Sequence, residues 1–280
     1  MDQPFRAFSF VDRITELEPG RKVRGRYAIP SGIEAFPLSL VGEAVGQLAA
    51  WAAMAAVQFE CRPVAGIVGA IELLSPVKPG QELELAAELE TVETDAVAYS
   101  GTASTNGTLV LRLQHCVGPM VPLKDFDDPQ AVRERFTLLS GSGVAPGGFG
   151  GLPSLAHEQT GREFGQWLRA TLQVPGSARL FSDHFPRRHV FPGSLLVEMN
   201  LKLAAALASE LPAPTDGARW TIRTVSDMKL RAFIPPGERL NMEARFTELS
   251  TRSATVAVET RNEKRLVGAV RLLLALEERS

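Results

Sequence analysis

Phe191-Pro-Gly-Ser-Leu-Leu-Val-Glu-Met-Asn-Leu-Lys-Leu-Ala-Ala205 lies without a gap on Phe36-Pro-Leu-Ser-Leu-Val-Gly-Glu-Ala-Val-Gly-Gln-Leu-Ala-Ala50, with Phe, Pro, Ser, Leu, Glu, Leu and both alanines coinciding. Each copy reads as an apolar helix entered through Phe-Pro and carrying one carboxylate a turn and a half inside. A second match puts Ile71-Glu-Leu-Leu-Ser-Pro-Val-Lys-Pro-Gly-Gln-Glu-Leu83 on Met228-Lys-Leu-Arg-Ala-Phe-Ile-Pro-Pro-Gly-Glu-Arg-Leu240, at an offset larger by two. An insertion of two residues between helix and sheet explains the change. Two copies make a duplicated domain and not a solenoid, which needs more repeats to build its core.

The units are expected at 1–123 and 152–280. Between them, 124–151 is acidic and Pro-containing at first, then Gly-rich from Ser140 to Gly151, and reads as a linker. Its Gly141 and Gly143 begin a phosphate-loop pattern, but Pro146 stands where the third glycine belongs and no apolar strand leads in. Within the first unit, alternation about Pro19-Gly20 predicts a hairpin over 8–29. A helix follows from an N-cap at Ser39 to about Gln58, and then strands from Ile67 to Gly118, punctuated at 78–80, 93–95 and 105–107.

Bulk properties narrow the class. Across 280 residues, 30 Lys and Arg against 32 Asp and Glu leave a net charge of −2, a poor footprint for nucleic acid. Cys61 and Cys116 lie in no metal or redox spacing and read as reduced thiols. Charged residues scattered from Asp2 to Glu18 interrupt any signal-peptide core, so a cytoplasmic protein is expected. The apolar run Leu38 to Val57 is long enough to span a membrane, but it contains Glu43 and Gln47. A carboxylate in mid-bilayer costs about 2.5–3.5 kcal/mol on insertion scales, which favours a helix buried in protein.

Ahead of the second helix stands Asp183-His-Phe-Pro-Arg-Arg-His-Val-Phe-Pro-Gly193. A histidine before a Phe-Pro, then Pro-Gly opening a helix with a glutamate inside it, resembles the catalytic loop of the hotdog-fold β-hydroxyacyl-acyl-carrier-protein dehydratases of the FabZ/FabA type. Phe10-Val-Asp-Arg13, Glu18-Pro-Gly20 and Glu43-Ala-Val-Gly-Gln47 resemble that family's opening strands and helix. The resemblance implies an α+β double hotdog: two antiparallel sheets, each wrapped round a long central helix, forming a pseudo-dimer within one chain. It also implies two sites across the interface, each taking its histidine from one unit and its acid from the other.

The repeat puts Ile29 opposite His184, so one of those sites lacks its histidine. The remaining site pairs His184 with Glu43. Their neighbours agree: Gln47 shares a helix face with Glu43, whereas the equivalent Lys202 stands ready to pair with Glu198. A carboxylate beside an ammonium holds its proton poorly and makes a weak acid catalyst. The expected chemistry is dehydration, with His184 as base, Glu43 as acid, and the Gly193 N–H at a helix N-terminus facing the thioester oxygen. By resemblance, the Val190 carbonyl orients the His184 ring and Gln47 contributes to substrate binding.

No metal or organic cofactor is expected, since Asp183, His184 and His189 match no metal-ligand spacing. The expected partner is an acyl carrier protein of fatty-acid or polyketide assembly, with Arg187 and Arg188 as docking residues. A homodimer of double hotdogs is also allowed through sheet edges. An acyl-thioesterase and a non-catalytic acyl-thioester-binding scaffold remain the alternatives. No GxSxG elbow supports a serine hydrolase.

Overall fold

The structure, a computed structural model, describes residues 9–146, 148–211 and 218–277. The remaining residues, on which part of the N-terminal reading and both outer domain limits fall, lie outside the described residues. The first half contains β1 (Arg13–Glu18), β2 (Lys22–Ala28), α1 (Leu38–Ala56), β3 (Cys61–Pro63), β4 (Ile67–Leu73), β5 (Glu82–Val92), β6 (Ala96–Thr105) and β7 (Thr108–Pro122). After α2 (Pro129–Ser140) come β8 (His157–Glu163), β9 (Trp167–Gln173), α3 (Gly193–Ala208), β10 (Arg219–Leu230), β11 (Arg239–Leu249), β12 (Ser253–Arg261) and β13 (Leu266–Glu277).

The strands lie in the order β1-β2-β5-β6-β7-β4-β10-β13-β12-β11-β9-β8, every neighbouring pair antiparallel, with β3 on β7. That order reads the same from both ends once the halves are matched, β4 with β10 and β1 with β8. The two expected sheets therefore join edge to edge into one, through β4 and β10. Their register obeys a twofold: Ile67 pairs with Lys229, while Thr224, the repeat equivalent of Ile67, pairs with Glu72, the equivalent of Lys229.

Strand residues alternate as the pleat requires. Leu83, Leu85, Ala87 and Leu89 of β5 face inward to α1, and Leu240, Met242 and Ala244 of β11 face inward to α3. The turns are where the glycines put them: Asn106 and Gly107 both have positive φ between β6 and β7, as a two-residue hairpin turn demands. Gly101 on β6 meets a different need. A Cβ there would come within 2.5 Å of Val45 Cγ1 and 2.6 Å of the Ala86 carbonyl oxygen, so the helix can lie against the sheet only over a glycine.

Helix α1 is long and apolar enough to cross a membrane by length and composition, yet its buried residues pack into the concave face of the first half. Ser39 is not its N-cap. Pro37 holds that place and has no side-chain acceptor to cap with, while Ser39 lies inside the first turn and its hydroxyl bonds Glu198. The segment expected to be a linker also carries a helix. Asp128 accepts from Gln130 N at 3.0 Å and Pro129 takes the first helical position, a start signal that the surrounding acidic and Gly-rich composition obscured. Phe136 of α2 then stacks on Trp51 of α1 with ring centroids 6.2 Å apart, and Phe149 sits edge-on to Phe10 and Phe36.

Gly101→Ala is expected to destabilise the fold by roughly 1–3 kcal/mol through overpacking against Val45 and Ala86. Urea unfolding checks it; a midpoint equal to that of the wild type would show that α1 has room to move off the sheet.

Candidate active site

Helices α1 and α3 meet across the twofold, and a cavity of about 220 Å³ runs along α1 and reaches the N-terminal turns of α3. Its floor on α1 is built from Gly42, Gly46, Ala49 and Ala50, small residues that leave space under the sheet. Glu43 and Gln47 of the first half line it together with His184, Val190 and Gly193 of the second. Glu198 and Lys202 are not among its lining residues.

His184 is half-buried, and its Nδ1 lies 2.9 Å from the Val190 carbonyl oxygen. A carbonyl can only accept, so Nδ1 carries the hydrogen and Nε2 keeps its lone pair. Burial lowers the His184 pKa from its ordinary value, and the nearby Glu43 carboxylate opposes that shift. The geometry and the desolvation together favour a neutral imidazole.

Glu43 accepts at 3.0 Å from the Gln47 amide, whose oxygen in turn accepts from Phe10 N at 2.8 Å. Expected to bind substrate, Gln47 has both ends of its amide committed within the chain and orients Glu43. Gly193 opens α3 where a Cβ would collide with Leu230 Cδ1. Glu198 lies apart from the cavity's lining, 3.7 Å from Lys202 Nζ and accepting from the Ser39 hydroxyl at 2.8 Å.

The histidine loop is held by the connector between the halves. Arg187 N donates to the Phe126 carbonyl at 2.9 Å, and its guanidinium donates to the Lys124 carbonyl at 2.9 Å. The Arg188 guanidinium lies over Phe126 and Phe233, 5.1 and 4.7 Å from their centroids. Both arginines are exposed, but each is engaged with its own chain. His189 Nδ1 lies 3.0 Å from the Phe185 carbonyl oxygen.

Sequence reasoning missed Arg62 and Asp127. Arg62, on β3, is bonded to Asp127 of the connector, and its guanidinium lies 3.8 Å from the centroid of Phe185. Phe185 in turn stacks on the His184 ring, centroids 4.2 Å apart. Burial lowers the Arg62 pKa and raises that of Asp127, and each partner opposes the shift of the other. Cys61-Arg-Pro63 carries no motif that would have exposed this pair.

Comparisons with known proteins fit this architecture. Residues 159–268 match the ApeI-like family, described as ApeI dehydratase. A 3-hydroxyacyl-[acyl-carrier-protein] dehydratase FabZ of Rickettsia rickettsii is 32% identical over 83 residues, covering 28% of this chain and 57% of that protein. The FabZ of Pasteurella multocida is 24% identical over 84 residues, 30% of this chain and 55% of that protein. The matched stretch thus spans little more than half the length of these relatives.

Two solved structures align over nearly the whole chain. An acyl-ACP thioesterase from Bacteroides thetaiotaomicron has a TM-score of 0.53 at 13% identity, covering 90% of this chain and 97% of that one. The tesB protein of Mycobacterium avium subs paratuberculosis has a TM-score of 0.55 at 11% identity, covering 94% and 96%. At such identities the likeness establishes the fold and leaves the chemistry to the site. The chain has a double-hotdog fold, and part of its second half is similar in sequence to dehydratases.

Arg62→Met, which strands a buried carboxylate, should cost about 3–5 kcal/mol of stability. The double variant Arg62→Met/Asp127→Leu should recover most of it, because replacing both ions by apolar groups is often neutral. Denaturant melts of both variants decide the matter; a double variant no more stable than the single one would refute the pairing.

Proposed function

We propose that this protein is a 3-hydroxyacyl thioester dehydratase, a hydro-lyase forming the trans-2-enoyl thioester on an acyl carrier protein in the cytoplasm. In this reading His184 is the base, Glu43 the acid, and the two hotdog units, 1–123 and 152–280, each supply one of them. The observation that carries it is a single cavity lined by both residues, with the His184 ring oriented through Nδ1 by the Val190 carbonyl. The ApeI-like and FabZ similarities support the same reaction class.

Nε2 removes the α-proton of the thioester while Glu43 protonates the departing 3-hydroxyl. The electrons of the C–H bond become the new C=C bond, and those of the C–O bond leave with water. Negative charge gathering on the thioester oxygen meets the backbone N–H of Gly193 and the positive end of α3. His184 then returns its proton to Glu43, and neither side chain is consumed. Docking of an acidic carrier falls to Arg187 and Arg188, at the outer side of the histidine loop.

Turnover of a 3-hydroxyacyl thioester to its enoyl product, read by absorbance and by mass, tests the proposal. His184→Ala and Glu43→Gln should each lower kcat at least 100-fold, while Glu198→Gln keeps most of it. Loss of activity in Glu198→Gln with retention in Glu43→Gln would reverse the assignment of the acid, and release of free thiol without an enoyl product would make the protein a thioesterase.

The pH profile follows from the sign of the His184 shift. A base must be neutral, so kcat/KM falls as pH drops through the His184 pKa. Burial sets that value below the ordinary 6.5, and the acid limb should therefore lie below pH 6.5. A limb above that value would contradict a desolvated base.

A further inference from the structure

The two halves provide a comparison within one molecule. Ser39 and Ser194 occupy the same place in the repeat, each the second residue of its helix. Both are more than nine-tenths buried, at 8% and 9% exposure. The Ser39 hydroxyl reaches across the helix pair and donates to Glu198 at 2.8 Å. Its counterpart makes no such bond: the buried Ser194 hydroxyl has no hydrogen-bond partner among the described residues, and its residue is one of those lining the cavity with Glu43 and His184.

Two differences account for the contrast. Glu198 is drawn towards Lys202, and Glu43 is held instead by Gln47. Both serines line the cavity, and the bond from hydroxyl to carboxylate is made in one half and not in the other. A buried hydroxyl normally finds a partner, because leaving one unmade forfeits the hydrogen bonds it had in water. At a cavity wall the missing partner is the ligand.

We propose that Ser194 is a recognition group for the substrate's 3-hydroxyl, which binds between the Ser194 hydroxyl and the Glu43 carboxyl. The proposal rests on the dehydratase reading and names the group that the site selects. A hydroxyl oxygen has two lone pairs, so it accepts from Ser194 Oγ–H while receiving the proton of Glu43 on the other. The carbon–oxygen bond breaks with its electron pair on oxygen, water departs, and Ser194 keeps its own proton throughout. An acyl chain unsubstituted at carbon 3 offers no oxygen there and leaves the serine unsatisfied. Discrimination built on a buried polar group of this kind exceeds what apolar pocket shape alone achieves.

The test uses binding, so it does not depend on turnover. The probes are the 3-hydroxyacyl amide of aminopantetheine, with nitrogen in place of the thioester sulfur and an α-proton too weakly acidic to be removed, and its 3-deoxy counterpart. By calorimetry the wild type should prefer the hydroxy probe by about tenfold. Ser194→Ala, which removes an unpartnered hydroxyl and should melt no lower than the wild type, should bind both probes alike with the affinity for the deoxy probe unchanged. Absence of the preference in the wild type, or its persistence in Ser194→Ala, overturns the proposal. A Ser194-dependent preference without dehydration of the matching thioester supports the recognition group and sinks the dehydratase reading; dehydration without the preference does the reverse.

Discussion

The pairing of β4 with β10 is the constraint from which the rest follows. Five residue pairs, from Ile67 with Lys229 to Glu72 with Thr224, fuse two half-sheets into one. Because that ladder is antiparallel and its register is symmetric under the repeat, each half must be related to the other by a twofold through the ladder. The helices wrapped by the two halves are then brought together at corresponding points. The cavity is a product of that meeting: α1 contributes a floor of small residues and Glu43, and the chain entering α3 contributes His184. A register slip of one residue would turn every inward strand side chain outward, so the apolar faces of the sheet defend the position of the cavity.

The twofold places the helices but does not fix the histidine loop, which sits at the edge of the second half. That task falls to the stretch between the halves. The Phe126 ring lies edge-on to Phe185, centroids 5.4 Å apart, and Asp127 binds Arg62, which covers Phe185 from the first half. Two parts of the chain, the connector and β3, thus hold one phenylalanine, and that phenylalanine stacks on His184. Composition marks this stretch as a linker, and connection is only part of what it does. A buried ion pair contributes little net stability but is costly to break on one side, which makes it a register device.

How much of this was legible in the sequence depended on periodicity. The duplication was readable because Phe-Pro, Glu and the Ala pair recur at fixed spacing, and the hairpins because Asn106-Gly107 and Lys78-Pro-Gly80 are turn chemistry with one conformational meaning. Glu43 and His184 were placed through the same repeat. Arg62, Asp127 and Ser194 were not found, since each acquires its role from a partner on another segment and none sits in a local pattern. Ser39 illustrates the same limit: its place before a helix suggests a cap, and only the fold shows that its hydroxyl faces a glutamate 159 residues away.

The asymmetry between the halves then has a physical reading in terms of satisfied polar groups. Both helices carry a glutamate and a serine at equivalent places, and burying either without a partner is unfavourable. Around Glu198 the chain supplies partners of its own: Lys202 gives a countercharge and Ser39 a hydrogen bond, while Ile29, the repeat equivalent of His184, is an apolar side chain buried to 2% exposure. The polar groups around Glu198 are thus partnered within the chain. Around Glu43 the chain supplies the Gln47 amide, with the Arg62 guanidinium and the His184 ring close enough to feel its charge, and it leaves the buried Ser194 hydroxyl without a hydrogen-bond partner among the described residues. A duplicated fold can let one half satisfy its buried serine internally while the other leaves the equivalent hydroxyl to be satisfied by a bound molecule, and the proposed chemistry lies beside that hydroxyl.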